Sequence, residues 1–325
     1  MAAPRRIAIV TFAQEPQLYA EEKGIVALLR ARGIEADAVV WNDPHVNWSR
    51  YPHVLLRSTW DYFQHYDDFL AWLGRVEKTA NVWNPPSLVR WNLDKMYLRD
   101  LERRGVRIVP TEFCEAGTDA DLAGIVGSRS WTRAVVKPAV SGGAYRTHLF
   151  DATEVARYQP ELTAILRSSG ALVQPFFPEV EAEGEWSFLF FGGTLSHVVL
   201  KVPSKGEYRV QELFGGTFKE ADPGPAVLAQ AQAVLNALPE APAYARIDGI
   251  RRGADFYLME AELVEPYLYL SAKQGSLESF VDVIVGSRSS TTGQHPCTGS
   301  AVAATMRDEV DSFPRNAQPH PGTKP

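Results

Sequence analysis

The segment FYLMEAELVEPYLYL, residues 256–270, is apolar enough for a buried strand, yet it carries Glu260, Glu262 and Glu265. An unpaired buried carboxylate costs several kcal/mol, so these acids require a metal ion, a cationic partner or a solvent-filled cleft. Alternate side chains of a strand share a face, which puts Glu260 and Glu262 on one side, roughly 7 Å apart. The preceding AYARIDGI is also strand-like, and RRGAD between the two reads as a hairpin turn. With Gly253 at the centre of the turn, Arg246 faces Glu260, and Asp248 faces Leu258, diagonal to Glu260. One face then holds Arg246, Asp248, Glu260 and Glu262, an excess of hard oxygen that suits Mg2+ with phosphate co-ligands. An exposed face with an ordinary Arg–Glu pair is the other reading, and a one-residue slip would turn Asp248 away from Glu260.

Two lysines add to this chemistry. Lys137 lies inside the apolar run AVVKPAV, where a lysine is rarely buried without a partner. Ser141-Gly142-Gly143-Ala144 follows directly, a loop whose N–H groups can approach phosphate oxygens, although no GK[ST] follows it and a plain hairpin turn has the same composition. Lys95 falls in the first turn of a helix expected over Leu93–Arg104, with Asn92 as N-cap and Gly105 as the stop. The helix dipole disfavours a cation there, so Lys95 is either solvated or reaching for an anion. Further on, VQPFFPEVEAEGEWS runs from a strand into a hinge, offering backbone groups to an adenine edge and Glu179, Glu181 or Glu185 to a ribose. LKVPSKGEYRVQELFGG then supplies Lys201, Arg209 and a Gly215-Gly216 pair.

These residues need elements to hold them. RIAIVTF (6–12), IEADAVVW (34–41) and HVLLRS (53–58) read as strands, EEKGIVALLRARG (21–33) as a helix closed by Gly33, and Tyr66 to Val76 as another helix. Strand, helix and strand in that order predict a doubly wound α/β unit, without a GxGxxG dinucleotide fingerprint. RSTWDYF follows the third strand, at the end where such folds place ligands. There Arg57 could clamp a carboxylate, with Ser58, Thr59 and Asp61 as polar contacts. A surface Arg57–Asp61 pair beside a core Trp60 is the alternative. WTRAVVKPAVSGGAYRTHLF reads as strand, turn and strand, and ALVQPFF, EWSFLFF and TLSHVVLKV as further strands. Residues 226–237 form a helix, and beyond about 285 the apolar content collapses into a tail expected to be disordered.

With 325 residues the chain can form two or three domains. A net charge of −6 and no long Lys/Arg run exclude nucleic-acid binding as its main task. Cys114 and Cys297 show no metal spacing, and a disulfide framework is excluded. The run IAIVTF is too short for a signal peptide's apolar core and nothing approaches a membrane span, so the expectation is a cytoplasmic protein without a membrane partner.

Taken in order, an α/β start, Lys95, Lys137 before SGG, the Gln-Pro-Phe-Phe hinge, Lys201…Arg209 before Gly-Gly, and Arg-Ile-Asp…Glu-Ala-Glu resemble the ATP-grasp superfamily of carboxylate–amine ligases over residues 1–285. RSTWDYF, NPPSLVRWNLDKMYLRDL and MEAELVEPYLYL resemble the branch holding O-ureido-serine cyclo-ligases, beside glutathione-synthetase-like enzymes. The resemblance implies an α/β (α+β) ATP-grasp fold: an N-terminal doubly wound domain over 1–90, a small lobe with a glycine-rich lid over 91–173, a large lobe with the metal site over 174–285, and the tail 286–325. It implies ATP and Mg2+ as cofactors. Lys95, Lys137, Ser141, Gly142 and Gly143 would hold phosphates, Gln174, Phe176 and Phe177 adenine, and Glu181 or Glu185 ribose. Asp248, Glu260 and Glu262 would hold Mg2+, with Glu262 standing where many members have Asn. Lys201, Arg209 and Arg246 would be catalytic, and Arg57, Ser58, Thr59 and Asp61 would meet an amino-acid-derived small molecule. Relatives are often homodimers.

The chemistry implied is attack of a carboxylate on the γ-phosphorus, then capture of the acyl-phosphate by a nitrogen. An intramolecular nitrogen gives a ring, whereas a second molecule gives a dipeptide-like or glutathione-like product. A nucleotide-binding module without turnover is the alternative outside enzymology, disfavoured because Lys137, Asp248, Glu260 and Glu262 are all present.

Overall fold

The computed structural model describes residues 6–286. Cys297 and, beyond its first residue, the tail 286–325 lie outside the described residues.

The N-terminal strands β1 (Arg6–Thr11), β2 (Glu35–Val40), β3 (His53–Ser58) and β4 (Asn81–Trp83) form a parallel sheet in the order β2-β1-β3-β4. Successive side chains of β1 point to opposite faces and meet different helices. Ile7 and Ile9 pack with Ile25 and Leu29 of α1 (Ala20–Ala31), whereas Ala8 and Val10 pack with Phe69, Trp72 and Leu73 of α2 (Tyr66–Val76). Helices on both faces make this the doubly wound unit the sequence predicts.

The helix expected over Leu93–Arg104 starts later, as α4 (Tyr97–Arg103), and a separate helix, α3 (Pro86–Asn92), precedes it. Between them the Asp94 carboxylate accepts the Met96 N–H at 2.9 Å, and the Lys95 N–H donates to the Ala139 carbonyl at 2.9 Å. Asn92 is therefore not an N-cap but the last residue of α3, and Lys95 precedes α4 instead of lying in its first turn. Beyond α4, β5 (Glu112–Cys114), β6 (Arg133–Pro138), β7 (His148–Asp151) and β8 (Ala171–Pro175) form an antiparallel sheet in the order β5-β8-β6-β7. Its inner positions Ala134, Val136, Ala171 and Val173 pack with α5 (Leu122–Ser128) and α6 (Val155–Leu166), which leaves Lys137 on the opposite face.

After a short helix, α7 (Glu179–Ala182), come β9 (Glu185–Phe191), β10 (Thr194–Val202), β11 (Thr217–Glu220), β12 (Tyr244–Arg252) and β13 (Asp255–Glu262), an antiparallel sheet ordered β11-β10-β9-β12-β13. Phe188 and Phe190 pack with Val227, Ala231 and Val234 of α8 (Pro225–Asn236). Leu189 and Phe191 pack with Phe280 and Ile284 of α9 (Ser276–Val285), in the cluster that also holds Ile7 and Leu29. A domain cut at 90/91 falls within α3, and one at 173/174 falls within β8.

The β12–β13 hairpin differs from the expected pairing in a way that preserves its chemistry. Its turn is Gly253-Ala254, flanked by the pair Arg252–Asp255, which moves the register by one residue. A bulge between Asp248 and Gly249 moves it by one more. Two odd shifts restore the face parity, so Asp248 stands opposite Glu260 and Arg246 opposite Glu262. The bulge needs a glycine: a Cβ on Gly249 would lie 2.4 Å from the Phe256 ring and 2.4 Å from the Tyr257 carbonyl.

Candidate active site

Asp248 is the hub. Its Oδ1 accepts from Ser187 Oγ at 2.6 Å, its Oδ2 from Lys201 Nζ at 3.2 Å, and both oxygens accept from Arg246 Nε. Ser187 on β9 lies beside Asp248 on β12, and Lys201 on β10 pairs with Glu185 on β9, so three adjacent strands supply the network. Lys201 Nζ also meets Glu185 Oε1 at 2.5 Å, and Arg246 continues to Glu262 and to the Tyr267 carbonyl at 2.9 Å. Burial alone would discharge these groups, but their partners outweigh it at Asp248 and Lys201. Arg246 and Lys201 hold the Asp248 carboxyl below its usual range, and Asp248 with Glu185 pushes the Lys201 ammonium upward. At Glu185 burial wins and its carboxyl is pushed up despite Lys201.

Lys95 and Lys137 approach from the small lobe. Lys95 Nζ donates to the Ser141 carbonyl at 2.7 Å and lies 3.0 Å from Glu260 Oε1. Burial raises Glu260, yet Lys95 and Lys137 outweigh it and keep the carboxyl below its normal value. Lys137 has no hydrogen-bond or ion-pair partner among the described residues. Burial, and then Lys95, lowers its ammonium pKa, with Glu260 and Glu185 opposing. A cation held without a partner beside a glycine loop is well placed to receive an anion. In the loop, Ser141 is buried and Gly143 takes a φ of +57°, while Gly142 lies against the Phe63 ring. Tyr145 touches Phe63 with ring centroids 5.1 Å apart, so this loop rests on the N-terminal domain.

The three acids expected to share a metal are not arranged alike. Among the described residues no group of three His, Cys, Asp or Glu side chains is arranged to hold a metal. Asp248 differs from the other two acids: its side chain is 3% exposed and both oxygens accept from Arg246, Lys201 or Ser187. Glu260 and Glu262 retain 31% and 29% side-chain exposure on the same face. Burial, reinforced by Asp248 and Glu260 against Arg246, pushes Glu262 up to about 7. Two accessible carboxylates with an excess of negative charge fit Mg2+ that takes its remaining ligands from phosphate and water.

At the hinge, Gln174 donates to Thr111 Oγ1 at 2.8 Å and the Phe176 N–H is taken by the Arg133 carbonyl at 3.0 Å. Among the described residues neither the Phe176 carbonyl nor the Phe177 N–H has a partner, which leaves one acceptor and one donor at the hinge. Glu181 faces Arg133 at 3.3 Å on the outside, whereas Glu185 is drawn into the Lys201 network. Arg209 is not brought to the carboxylates. It is held by Glu207 at 2.6 Å and by the Phe214 ring at 3.6 Å, and the hydrogen bonds from Arg209 take the Glu207 carboxyl down to about 2.

The substrate residues expected after β3 are sealed. Arg57 is fully buried, donates to the Pro266 carbonyl at 2.7 Å, and lies 3.4 Å from Glu21 and 3.6 Å from Glu22. It does not pair with Asp61, which accepts from Trp41 Nε1 at 2.8 Å. The hydroxyls of Ser58 and Thr59 are buried without partners. The sequence had no signal for the residues that pin β13 in place. Asn84 bonds the Tyr244 and Leu263 carbonyls, Asn92 the Ala261 carbonyl and Leu263 N–H, and the Tyr97 hydroxyl the Ala261 backbone. A polar residue inside an apolar helix end, as at Asn92, was the one available clue.

Comparison with known proteins places this geometry. Residues 7–84 match the family described as the D-cycloserine synthetase DcsG N-terminal domain. The cycloserine biosynthesis protein DcsG of Streptomyces lavendulae is 30% identical over 299 residues, 86% of this chain and 97% of that protein. The crystal structure of D-cycloserine synthetase DcsG superposes with a TM-score of 0.80 at 27% identity, covering 86% of this chain and 99% of that one. A D-alanine–D-alanine ligase from Bacillus anthracis, complexed with ATP, superposes with a TM-score of 0.62 at 16% identity, over 87% and 97% of the two chains. The fold is thus the ATP-grasp fold. Among the described residues no helix is long and apolar enough to cross a membrane.

Proposed function

The chain belongs to the DcsG family of ATP-grasp ligases and is an ATP-dependent carbon–nitrogen ligase; from that premise we propose that it activates the carboxylate of an O-ureido-serine and closes the ring. The observation that carries this reading is the pairing of Lys95 with Glu260 and of Arg246 with Glu262, with Lys201 joined to Arg246 through Asp248, in a chain spanning 97% of a cycloserine-forming relative.

Lys95 and Lys137 hold the ATP phosphates beneath the Ser141–Ala144 loop, and the free carbonyl and N–H of the hinge hold adenine. Glu260 and Glu262 would hold Mg2+, which would supply charge neutralisation at the phosphoryl oxygens. A substrate carboxylate oxygen attacks the γ-phosphorus as the bond to ADP breaks. Arg246 and Lys201, pre-aligned by Asp248, stabilise the charge that spreads over the transferring group. A nitrogen of the same molecule then attacks the acyl carbon, phosphate leaves, and the nitrogen gives up its proton. Holding both ends of one molecule contributes by proximity, and the glycine loop keeps water from the acyl-phosphate. Glu185 orders Lys201, and Glu185 or Glu181 would meet the ribose.

The test is ADP release with Mg-ATP and O-ureido-D-serine, its L-isomer, and single or paired amino acids. Release with one O-ureido-serine isomer alone is the expected result. Release only with paired amino acids overturns ring closure in favour of intermolecular ligation.

A further inference from the structure

Glu265, the third acid of the opening segment, takes no part in the network just described. Its carboxylate has no hydrogen bond or ion pair among the described residues, although it is only partly exposed. The cations that act on it electrostatically, Lys95 and Arg246, are already committed. Lys95 is held by Glu260 and Ser141, and Arg246 by Asp248, Glu262 and the Tyr267 carbonyl. Binding of ATP phosphates would draw Lys95 further from it. Burial, with Glu262 and Glu260 adding to it, pushes the Glu265 carboxyl up to about 8.

A second group converges on the same place. Tyr62 is 5% exposed, and its phenol makes no hydrogen bond among the described residues. Tyr62 lies in the same buried cluster as Val264, and Trp60, two residues before it, bonds the Glu265 carbonyl, which brings the two segments together. Burial first, then the charges of Glu265, Glu260 and Glu262, pushes this phenol well above its normal pKa. The backbone carrying Glu265 is pinned on both sides. Trp60 Nε1 donates to the Glu265 carbonyl at 3.0 Å, Arg57 to the Pro266 carbonyl at 2.7 Å, and the Tyr244 hydroxyl to the Val264 carbonyl at 3.1 Å. A carboxylate held rigidly at such a cost, with a neutral acceptor beside it and both of the cations that act on it occupied, is built to receive a cation from outside.

We infer that Glu265 and the Tyr62 hydroxyl form a subsite for the α-ammonium group of the amino-acid substrate. One carboxylate and one phenol oxygen suit the three donors of an ammonium group, whereas Mg2+ is better served by the paired acids Glu260 and Glu262. The subsite holds the α-ammonium, which takes no part in ring closure, so that the carboxylate on the same carbon is presented to Lys201 and Arg246. This inference deepens the proposed function and rests on it for the substrate class.

The test is calorimetric binding to protein loaded with Mg2+ and a non-hydrolysable ATP analogue. The probes are both O-ureido-serine isomers and the analogue lacking the α-amino group. Wild-type protein is expected to bind one isomer at least tenfold more tightly than the deamino analogue. Glu265→Gln should lose that preference with unchanged binding of the ATP analogue, and Glu265→Asp should recover part of it. Equal loss for both probes, or none, overturns the subsite, and the melting temperature of each variant exposes a folding defect. Binding of an O-ureido-serine isomer that depends on Glu265, without ADP release, would sink the proposed reaction alone. Release with binding that ignores Glu265 would sink the subsite alone, and binding of neither isomer would sink both.

Discussion

Two buried clusters of charge lie within the same protein and have opposite fates. In one, Arg57 sits among Glu21 and Glu22 with side-chain exposures of 0%, 3% and 0%, and its charge is spent on joining chain segments. In the other, Arg246 and Lys201 clamp Asp248 equally tightly, but Glu260 and Glu262 at its margin keep 31% and 29% of their surface. Pairing chemistry is the same in both. What separates architecture from reactivity is whether one rim of the cluster opens on the cleft, because only an accessible carboxylate can exchange a lysine for a metal or phosphate.

The largest effect that would break this contrast is at the open rim. Glu260→Gln is expected to reduce ADP release by about 10³-fold, with a melting temperature within a few degrees of wild type. Turnover near wild type in that variant, measured with the responsive substrate, would remove Glu260 from the site. At the sealed cluster the opposite pattern is expected. Arg57→Met leaves Glu21 and Glu22 buried without their cation and should cost about 3–5 kcal/mol, a fall in Tm on the order of 10 °C. The folded fraction should keep its KM for ATP within about twofold. A change in KM without a change in Tm would return Arg57 to the substrate site.

The smallest effect sharpens the comparison through pH. Glu265 has a folded-state pKa of about 8, above the roughly 4.3 of an unfolded glutamate. Folding therefore favours its protonated form, and the stability this group allows is fully present below the unfolded value and is lost as pH rises toward 8. In the ligand-free protein, Tm is expected to fall from pH 5 to pH 9, and Glu265→Gln to remove a few degrees of that fall. Parallel Tm profiles for the two proteins would show that the charge is relieved by a partner.

Much of this was legible beforehand, for definable reasons. Strands such as RIAIVTF and EWSFLFF carry their own signal, and alternate acids on one strand announce a shared face. The hairpin pairing was not legible in detail, because a two-residue turn and a bulge at Gly249 each shift it by one residue. Apolar spacing ran unbroken through Asp94-Lys95, so nothing local revealed that Ala139 and Asp94 hold that stretch as a turn. The contacts of Arg57 were hidden for a similar reason: its partners Glu21 and Pro266 are 36 and 209 residues away in sequence, beyond any local pattern. Glu265 was visible as an oddity from the start, but its proposed role needed the finding that Lys95 and Arg246 are both engaged elsewhere.

The bonds from Glu21 to the Leu268 and Leu270 N–H groups, together with those of Arg57 and Asn84, tie the first domain to the strand-end segment 263–270. That tie limits how such an enzyme can be recombined. Exchanging residues 7–84 for another N-terminal domain would strip the catalytic strand's continuation of its anchors. A chimaera made to change substrate therefore has to transfer two separated pieces of sequence as one inheritance unit, the N-terminal domain and the stretch around Glu265.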